Sequence, residues 1–353
     1  MIKMNLPNNI VFSQDLAHDL EEFYGEHAYS RVAVIVDENT RKNCYPKIKQ
    51  ATPDHIVIEI KSGEEEKNLD TCRYIWNELT SNAFDRKSLV VNLGGGVIGD
   101  MGGFCAATYK RGIDFINIPT TLLAQVDASI GGKLGIDFRN FKNHIGVFQN
   151  PLRVFLDVSF FKTLNPAEIR SGYAEIIKHC LIRDGNRFQE ITNTPYDRLD
   201  LFELTRHSVD VKNKVVLEDP TEKGLRKILN FGHTIGHAIE SFYLDRPGNK
   251  LLHGEAIAIG MICEAFLSRQ KLGMTEADLE KISSYILEIY GPKAIEESCV
   301  EKIIELTRQD KKNVGDKIKC SLLNKIGNCA YNIDIDDDDI QASINYFNSL
   351  NPD

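Results

Sequence analysis

The sequence lacks any apolar run long enough to cross a membrane; its uninterrupted apolar stretches have the length of a strand or a short helix. The first residues, MIKMNLPNNIVFSQ, contain a lysine with no apolar run behind it, so we expect no secretory signal there. Internal repeats and low-complexity linkers are also absent from the sequence. These features predict a soluble, cytoplasmic protein.

The cysteines form no C-x-x-C pair, which argues against a cysteine zinc knot and against a disulfide framework. We expect them to be small core residues, because free cysteine is among the most buried residue types. The eight cysteines are scattered along the chain at positions 44, 72, 105, 180, 263, 299, 320 and 329.

An excess of basic residues is missing as well: 42 Lys and Arg stand against 51 Asp and Glu, a net charge of −9. Such a chain is a poor candidate for binding a nucleic-acid backbone. An anionic substrate would have to be held by a local cluster of cations. Cations do cluster beside the motifs described below: Arg111, Lys133, Lys142, Lys178, Lys212, Arg226, Lys311 and Lys312.

Apolar residues make up 42% of the chain and charged residues 26%, the balance of a globular protein. Up to about residue 160, β-branched runs alternate with helix-like segments, which predicts a parallel sheet covered on both faces. The predicted strands are 31–37, 55–60, 88–93 and 114–119. The later helical segments are 166–183, 198–217, 230–243, 253–271, 276–290, 300–309 and 340–349. We therefore predict an α/β domain over 1–160 and a mainly α-helical domain over 161–353.

A glycine-rich turn follows the predicted strand 88–93 and opens a helix. Gly94, Gly96 and Gly99 fit the G-x-G-x-x-G pattern, in which the backbone approaches a pyrophosphate at a helix N-terminus. Alone the pattern is weak, because a structural glycine turn produces it almost as readily. Asp37, at the end of the first strand, is placed to accept from ribose hydroxyls, whereas the strand after the glycine helix ends in PTT (119–121) without an acid. The acid thus precedes the glycine loop, a departure from the usual dinucleotide fingerprint.

Histidines and one acid form a candidate metal site in the second half. His233 and His237 lie four residues apart, on one face of a helix, and His253 opens another predicted helix. Glu175 and Lys178 share a face of the helix 166–183. Spacing favours His233 and His237 as a zinc-ligand pair, with Glu175 and His253 as alternatives for the third ligand. A single histidine within a helix is more often a core or surface residue than a ligand.

Six stretches in a fixed order resemble one known family, 3-dehydroquinate synthase, among the sugar phosphate cyclases. They are GGGVIGDMGGFCAATYKRG (94–112), IPTTLLAQVDASIGGKLGID (118–137), KNHIGVFQNP (142–151), SGYAEIIKH (171–179), GLRKILNFGHTIGHAIE (224–240) and HGEAIAIGM (253–261). The resemblance implies an N-terminal α/β nucleotide-binding domain followed by a mainly α-helical metal-binding domain. The chain departs from the family in HIGVFQNP (144–151), where many members have a more apolar run.

The resemblance also implies an activity: conversion of 3-deoxy-D-arabino-heptulosonate 7-phosphate to 3-dehydroquinate and phosphate. This lyase step belongs to the shikimate pathway of aromatic amino acid biosynthesis. It proceeds by transient oxidation by NAD, phosphate elimination, reduction and intramolecular aldol closure. NAD and a divalent metal, zinc with cobalt as the alternative, are the implied cofactors. The implied assembly is a homodimer in which Arg111 is contributed across the interface.

Site residues follow from the same resemblance. The implied NAD contacts are Asp37, Asn39, Glu64, Lys67, Gly95, Gly96, Asp100, Thr120, Thr121, Lys142, Thr163 and Leu164. The implied metal ligands are Glu175, His233 and His253, so that His237 moves from the ligand pair favoured by spacing to the substrate side. The implied catalytic and substrate contacts are Arg111, Asp127, Lys133, Asn143, Lys178, Lys212, Arg226, Asn230, His237 and one of Lys311 or Lys312.

Three alternatives remain at this point. A sister sugar phosphate cyclase that makes a valiolone or an inosose would change several substrate contacts. A metal-dependent polyol dehydrogenase shares the two-domain architecture and would produce NADH. A catalytically dead binding protein would lack at least one metal-site or cationic residue. The presence of Lys212, Arg226 and His237 favours the dehydroquinate reaction.

Overall fold

A computed structural model describes residues 9–139, 141–244, 246, 250–308 and 317–350. The predicted substrate residues Lys311 and Lys312 lie outside these ranges. The chain divides into two compact units, with the boundary between Asn165 and Pro166.

The first unit is built on parallel strands. Its strands are β1 (Ile10–Phe12), β2 (Val32–Asp37), β3 (His55–Ile60), β4 (Leu89–Gly94), β5 (Asp114–Pro119), β6 (Lys133–Phe138), β7 (Phe141–Phe148) and β8 (Val154–Leu156). Six of them form one sheet in the order β1-β8-β5-β4-β2-β3, in which neighbouring strands run parallel, and β6 and β7 form an antiparallel hairpin. The predicted parallel sheet is confirmed.

Both faces of this sheet are covered, by α1 (Leu16–Glu26) and α2 (Glu38–Asn43) and by α3 (Leu69–Ser81) and α4 (Gly96–Thr108) among others. Along β2 the alternation is direct: Ala33 and Ile35 belong to one apolar cluster, and Val34 and Val36 belong to the other. Burial on two faces explains why this strand reads as a continuous apolar run.

The second unit is mainly helical. Its helices are α5 (Pro166–Arg183), α6 (Gly185–Thr192), α7 (Leu201–Glu218), α8 (His233–Leu244), α9 (His253–Leu272), α10 (Glu276–Tyr290), α11 (Glu297–Arg308) and α12 (Asp337–Ser349). Helix α9 is central and packs against α5, α8, α10 and α12. An antiparallel hairpin of β9 (Ile318–Lys325) and β10 (Asn328–Ile335) also packs on α9, and the sequence analysis did not predict it.

Two further predictions concern burial. All eight cysteines are free thiols, and all but Cys329 are buried, so the prediction of core cysteines is confirmed for seven of them. In the described ranges, every helix is too short or too polar to traverse a lipid bilayer.

Candidate metal centre and nucleotide pocket

A small pocket lies where β4 ends and α4 begins. The backbone N–H of Thr120 donates to Gly94 O at 3.0 Å, which joins the ends of β5 and β4. Gly95 precedes α4 and contributes no side-chain cap. The first-turn N–H groups of a helix without such a cap can donate to an anion. The pocket is lined by Asn92, Gly94, Gly95, Gly96, Gly99, Asn117, Pro119, Ala124, Ala128 and Ser129.

Two asparagines of this pocket escaped sequence analysis. Asn92 and Asn117 lie on β4 and β5, and Asn92 Nδ2 donates to Asn117 Oδ1 at 2.9 Å. They are buried polar residues within apolar strands, and the amide pair satisfies part of their hydrogen-bonding capacity. The only sequence signal is one asparagine within each of two mainly apolar strands, SLVVNL and DFINIP.

Asp37 ends β2 at the carboxyl edge of the sheet, next to the strand that carries the glycine loop. Its Oδ1 accepts from the backbone N–H of Thr40 at 2.7 Å, and Thr40 Oγ1 accepts from the N–H of Asp37 at 2.9 Å. This capping box commits one carboxylate oxygen to the start of α2. Asn39, the other predicted contact here, lies in the first turn of that helix.

Several predicted cofactor residues meet around Lys67. Its buried Nζ donates to Asp100 Oδ2 at 2.7 Å and to Asn143 Oδ1 at 2.7 Å. Lys142 Nζ lies 3.6 Å from Glu64 Oε1. Burial lowers the pKa of Lys67, but the charges of Asp100 and Glu64 outweigh it and raise the pKa above its ordinary value. Lys67 therefore stays protonated, and its hydrogen bonds to Asp100 and Asn143 hold it in place as a fixed cation.

The other predicted residues of the first unit are dispersed over turns and a strand. Thr121 follows Thr120 after β5, and Asp127 lies in a π-helical turn, Ala124–Ala128. Lys133 is the first residue of β6, and the exposed Arg111 ends the turn Tyr109–Arg111 with φ of 72°. Thr163 and Leu164 lie at the end of the 3₁₀ turn Val158–Thr163.

A candidate metal centre lies in the second unit, where α5, α8 and α9 each supply a side chain. Glu175 is fully buried on α5, and His233 and His253 are the first residues of α8 and α9. His233 Nε2 lies 3.4 Å and His253 Nε2 lies 3.8 Å from the same oxygen, Glu175 Oε1. Bonds of about 2.1 Å to a tetrahedral zinc separate neighbouring ligand atoms by about 3.4 Å, so the spacing suits such an ion.

Both imidazoles are oriented through the other ring nitrogen. His233 Nδ1 lies 3.1 Å from Phe231 O, and His253 Nδ1 lies 3.1 Å from Glu240 Oε2. An Nδ1–H that donates to an oxygen leaves Nε2 as the lone-pair atom, which is the tautomer that a metal needs. Each ring therefore presents Nε2 to Glu175.

The carboxylate itself fits a cation. Both oxygens of Glu175 are buried, and neither accepts a hydrogen bond of regular geometry within the described part of the chain. Lys178 Nζ forms an ion pair with Oε2, which turns Oε1 toward the histidines. A buried carboxylate oxygen without a hydrogen bond is costly, and a divalent ion between Oε1 and the two Nε2 atoms would remove that cost.

Charge around His253 supports the same conclusion. Burial lowers the pKa of His253, but the carboxylates of Glu240 and Glu175 outweigh it and raise the pKa to about 9. Two acids thus favour a positive charge at this position, either a proton on the ring or a bound cation.

His237 lies beside the two other histidines. Its ring centroid is 4.9 Å from that of His233 and 5.8 Å from that of His253. One ring nitrogen from each of the three histidines falls within a group whose atoms lie within 4.8 Å of one another. The position suits either a further ligand or a group that faces a substrate bound to the metal.

Two glycines allow the three helices to approach. A Cβ on Gly254 would lie 2.0 Å from Ser171 O of α5, and a Cβ on Gly260 would lie 2.0 Å from Gly232 O at the start of α8. A side chain at either position would push α9 away from its neighbour. These close contacts bring His253 to Glu175 and to His233.

The predicted cations of this unit are buried side chains. Lys178, Lys212 and Arg226 are each at least nine-tenths buried. Arg226 follows a loop tied by Asp219, whose Oδ2 accepts from the backbone N–H groups of Gly224 at 2.7 Å and Arg226 at 3.1 Å.

Asn230, the remaining predicted substrate residue of this unit, is held by the same segment. Its Nδ2 donates to Glu222 Oε1 at 2.6 Å and to Lys227 O at 3.1 Å. Sequence reasoning missed the supporting acids Asp219, Glu222 and Glu240. Glu240 alone had a signal, since it lies on the helical face of His233 and His237.

The fold and the site together define a class: enzymes that combine a glycine-loop nucleotide domain with a helical unit bearing a histidine–carboxylate metal centre. A family model described as 3-dehydroquinate synthase N-terminal matches residues 57–171, and one described as 3-dehydroquinate synthase C-terminal matches residues 172–313. The chain therefore belongs to the 3-dehydroquinate synthase family, and it is an enzyme of the phosphate-eliminating cyclase type. The family and the fold class expected from the motifs are confirmed.

Individual relatives agree with this assignment. The 3-dehydroquinate synthase of Parabacteroides distasonis is 40% identical over 96% of this chain and 97% of its own length. That of Sulfurovum sp. is 43% identical over 84% of each chain. A crystal structure of 2-deoxy-scyllo-inosose synthase, complexed with carbaglucose-6-phosphate, NAD+ and Co2+, has a TM-score of 0.82 at 25% identity and covers 96% of both chains.

Proposed function

We propose that this chain converts 3-deoxy-D-arabino-heptulosonate 7-phosphate to 3-dehydroquinate and phosphate, with NAD and a divalent metal, zinc or cobalt. The observation that carries the proposal is the pair of Nε2 atoms, from His233 and His253, directed at one buried oxygen of Glu175. The 40% identity to a 3-dehydroquinate synthase over nearly the whole chain supports the substrate. When bound, NAD supplies reversible oxidation of a secondary alcohol, and the metal polarises that oxygen.

Glu175, His233 and His253 hold the metal in this proposal. Their donor set of two imidazoles and one carboxylate is that of a catalytic zinc site, which keeps a position for substrate. His237 then faces the substrate, where an imidazole can hold or move a proton. Lys178, whose Nζ pairs with the second oxygen of Glu175, places a positive charge beside the same position.

The remaining cations orient the substrate. A seven-carbon sugar acid phosphate carries a carboxylate and a phosphate, and both bind lysine and arginine well. The low dielectric around Lys212 and Arg226, both buried, strengthens such contacts. Arg226 Nη1 donates to Pro220 O at 2.7 Å, which fixes one side of the guanidinium. Asp127, Lys133, Asn143, Asn230 and Lys311 or Lys312 complete the proposed contacts.

The first unit binds NAD in this proposal. The first turn of α4, which has no side-chain cap, receives the pyrophosphate. Asp37 accepts a hydrogen bond from a ribose hydroxyl, and Asn39 donates one to the ribose. The fixed cation Lys67, with Asp100 and Asn143 around it, lies between residues assigned to NAD and one assigned to substrate. We further propose a cytoplasmic homodimer in which Arg111 serves the site of the partner.

A sister cyclase is the second candidate, because a 2-deoxy-scyllo-inosose synthase has nearly the same fold over 96% of both chains. The two candidates share a cofactor set and differ in the substrate. Phosphate release from a glucose phosphate or a sedoheptulose phosphate would identify the sister activity.

The deciding measurement is phosphate release from 3-deoxy-D-arabino-heptulosonate 7-phosphate with catalytic NAD. We expect one phosphate per substrate, a cyclic product, no net NADH and loss of activity with a chelator that added zinc reverses. Net NADH formation from a simple polyol would instead identify a dehydrogenase. Release only from glucose or sedoheptulose phosphate would overturn the substrate and keep the metal centre.

A further inference from the structure

A second buried glutamate contacts the helix that carries two of the histidines. Glu264 lies in α9 and is fully buried. Its Oε2 accepts from the backbone N–H of Gly232 at 2.6 Å, and its Oε1 accepts from the N–H of Ile235 at 3.1 Å. The carboxylate therefore spans the first turn of α8, on either side of His233.

The start of α8 needs such a partner from elsewhere in the chain. The first N–H groups of a helix have no intrahelical acceptor, and a side chain at the N-cap commonly supplies one. Here the residue before α8 is Gly232, with φ of 80° and no side chain. A carboxylate at this end also interacts favourably with the helix dipole. Glu264 takes the place of the missing local cap.

Two glutamates thus connect α8 and α9 in opposite directions. Glu240 of α8 accepts from the ring of His253 at the start of α9, and Glu264 of α9 accepts from the backbone around His233 at the start of α8. Between these two contacts the helices touch closely at Gly260. The Glu240 contact and the Glu264 contact lie at opposite ends of the α8–α9 interface, so together they prevent one helix from sliding along the other. The relative position of the two helices along their axes sets the distance between His233 and His253.

We propose that Glu264 is a positioning residue for the metal centre: through the first turn of α8 it holds His233 at metal-binding distance from His253 and Glu175. The inference rests on the metal ligands proposed above. Groups that orient a ligand commonly change metal affinity by roughly 10- to 100-fold when they are removed.

Glu264→Gln tests the proposal with little change in volume. The amide oxygen can accept from one backbone N–H, but the amide NH₂ meets the other N–H donor to donor. We expect the affinity for zinc, measured by competition with a chelator, to fall roughly 10- to 100-fold. Measurement at pH 8 keeps Glu264 ionised, because burial raises its pKa to about 7 against the opposing effect of its backbone donors.

Ser268→Ala is the matched control. Ser268 is also fully buried in α9, donates to Glu264 O at 2.6 Å and accepts from Leu323 N at 2.8 Å. Within the described part of the chain, it forms no hydrogen bond with the start of α8. We expect this variant to lose thermal stability and to keep wild-type zinc affinity. Equal losses of zinc affinity in both variants, or wild-type affinity in Glu264→Gln, would overturn the positioning role. Failure of the wild-type chain to bind zinc would instead overturn the proposed metal centre itself.

Discussion

At the scale of single residues, the two metal-directed imidazoles differ in what orients them. A backbone carbonyl, Phe231 O, accepts from His233, whereas the carboxylate of Glu240 accepts from His253. A carboxylate partner makes an imidazole more basic, and the pKa of His253 lies above that of an ordinary histidine for this reason. His253 is therefore the stronger donor to a metal once its proton has left.

His237 provides the sharpest test at this scale. In the proposed assignment it contacts substrate, so His237→Ala should keep stoichiometric zinc and lose at least about 100-fold in kcat. His253→Ala, the matched change at a proposed ligand, should lose zinc. Metal content of the purified variants, with kcat at saturating zinc, gives both answers. Zinc loss in His237→Ala would make it a ligand and restore the pair that spacing favoured.

At the scale of elements, the approach of α9 to α5 is the feature that assembles the metal centre. The Cβ of Gly254→Ala would lie 2.0 Å from a backbone oxygen, Ser171 O, so a helix must move. We expect a loss of about 1–3 kcal/mol in the free energy of unfolding and a weaker zinc affinity, because His253 is the adjacent residue. Urea unfolding and chelator competition measure the two effects.

Gly25→Ala is the control for this substitution. Gly25 lies in α1, and its Cβ would have no neighbour within 4 Å. Alanine should be neutral there or stabilise the helix by up to about 1 kcal/mol, since it is the better helix former. A Gly254→Ala variant as stable as the Gly25→Ala variant would contradict the close-approach argument.

Elements with strong periodicity were predictable. The predicted strands 31–37 and 88–93 lie within one residue of β2 and β4, and the predicted helix 166–183 coincides with α5. Strands β1 and β8 have three residues each, too few for a periodic pattern to emerge. The hairpin of β9 and β10 was missed because only the last residue of β10, Ile335, is buried, and the longest apolar run in this strand has three residues.

The site was predictable only where residues sit in motifs. Spacing placed His233, His237 and Glu175 in one candidate centre, and the structure brings all three together. Glu264 gave no signal, because a glutamate in the segment ICEAFLS reads as a solvated residue. Its role depends on a contact with the backbone of Gly232, 32 residues earlier in the chain, and sequence spacing carries no information about such a contact.

At the scale of the whole molecule, a net charge of −9 works against an anionic substrate. Attraction must come from local charge, and the buried Lys178, Lys212 and Arg226 supply it within the second unit. In the proposed dimer, each chain supplies Arg111 to the site of its partner, so each site gains a cation that its own chain does not provide. That proposal makes activity a property of the dimer.

Paired inactive variants test this arrangement. If Arg111 serves the partner, a tandem-tagged heterodimer of Arg111→Ala with Lys212→Met has one intact site, because one chain keeps Lys212 and receives Arg111 from the other. We expect about half of the wild-type rate per dimer, since one of two equivalent sites works. Each homodimeric variant should be inactive.

The matched control carries the same two substitutions on a single chain, paired with a wild-type chain. In the proposed arrangement this heterodimer is inactive, because the wild-type site receives alanine in place of Arg111 and the other site lacks Lys212. If Arg111 serves its own chain, the two heterodimers exchange their activities. A monomer in solution that is fully active would remove the partner from the mechanism, because every cation of the site would then come from one chain.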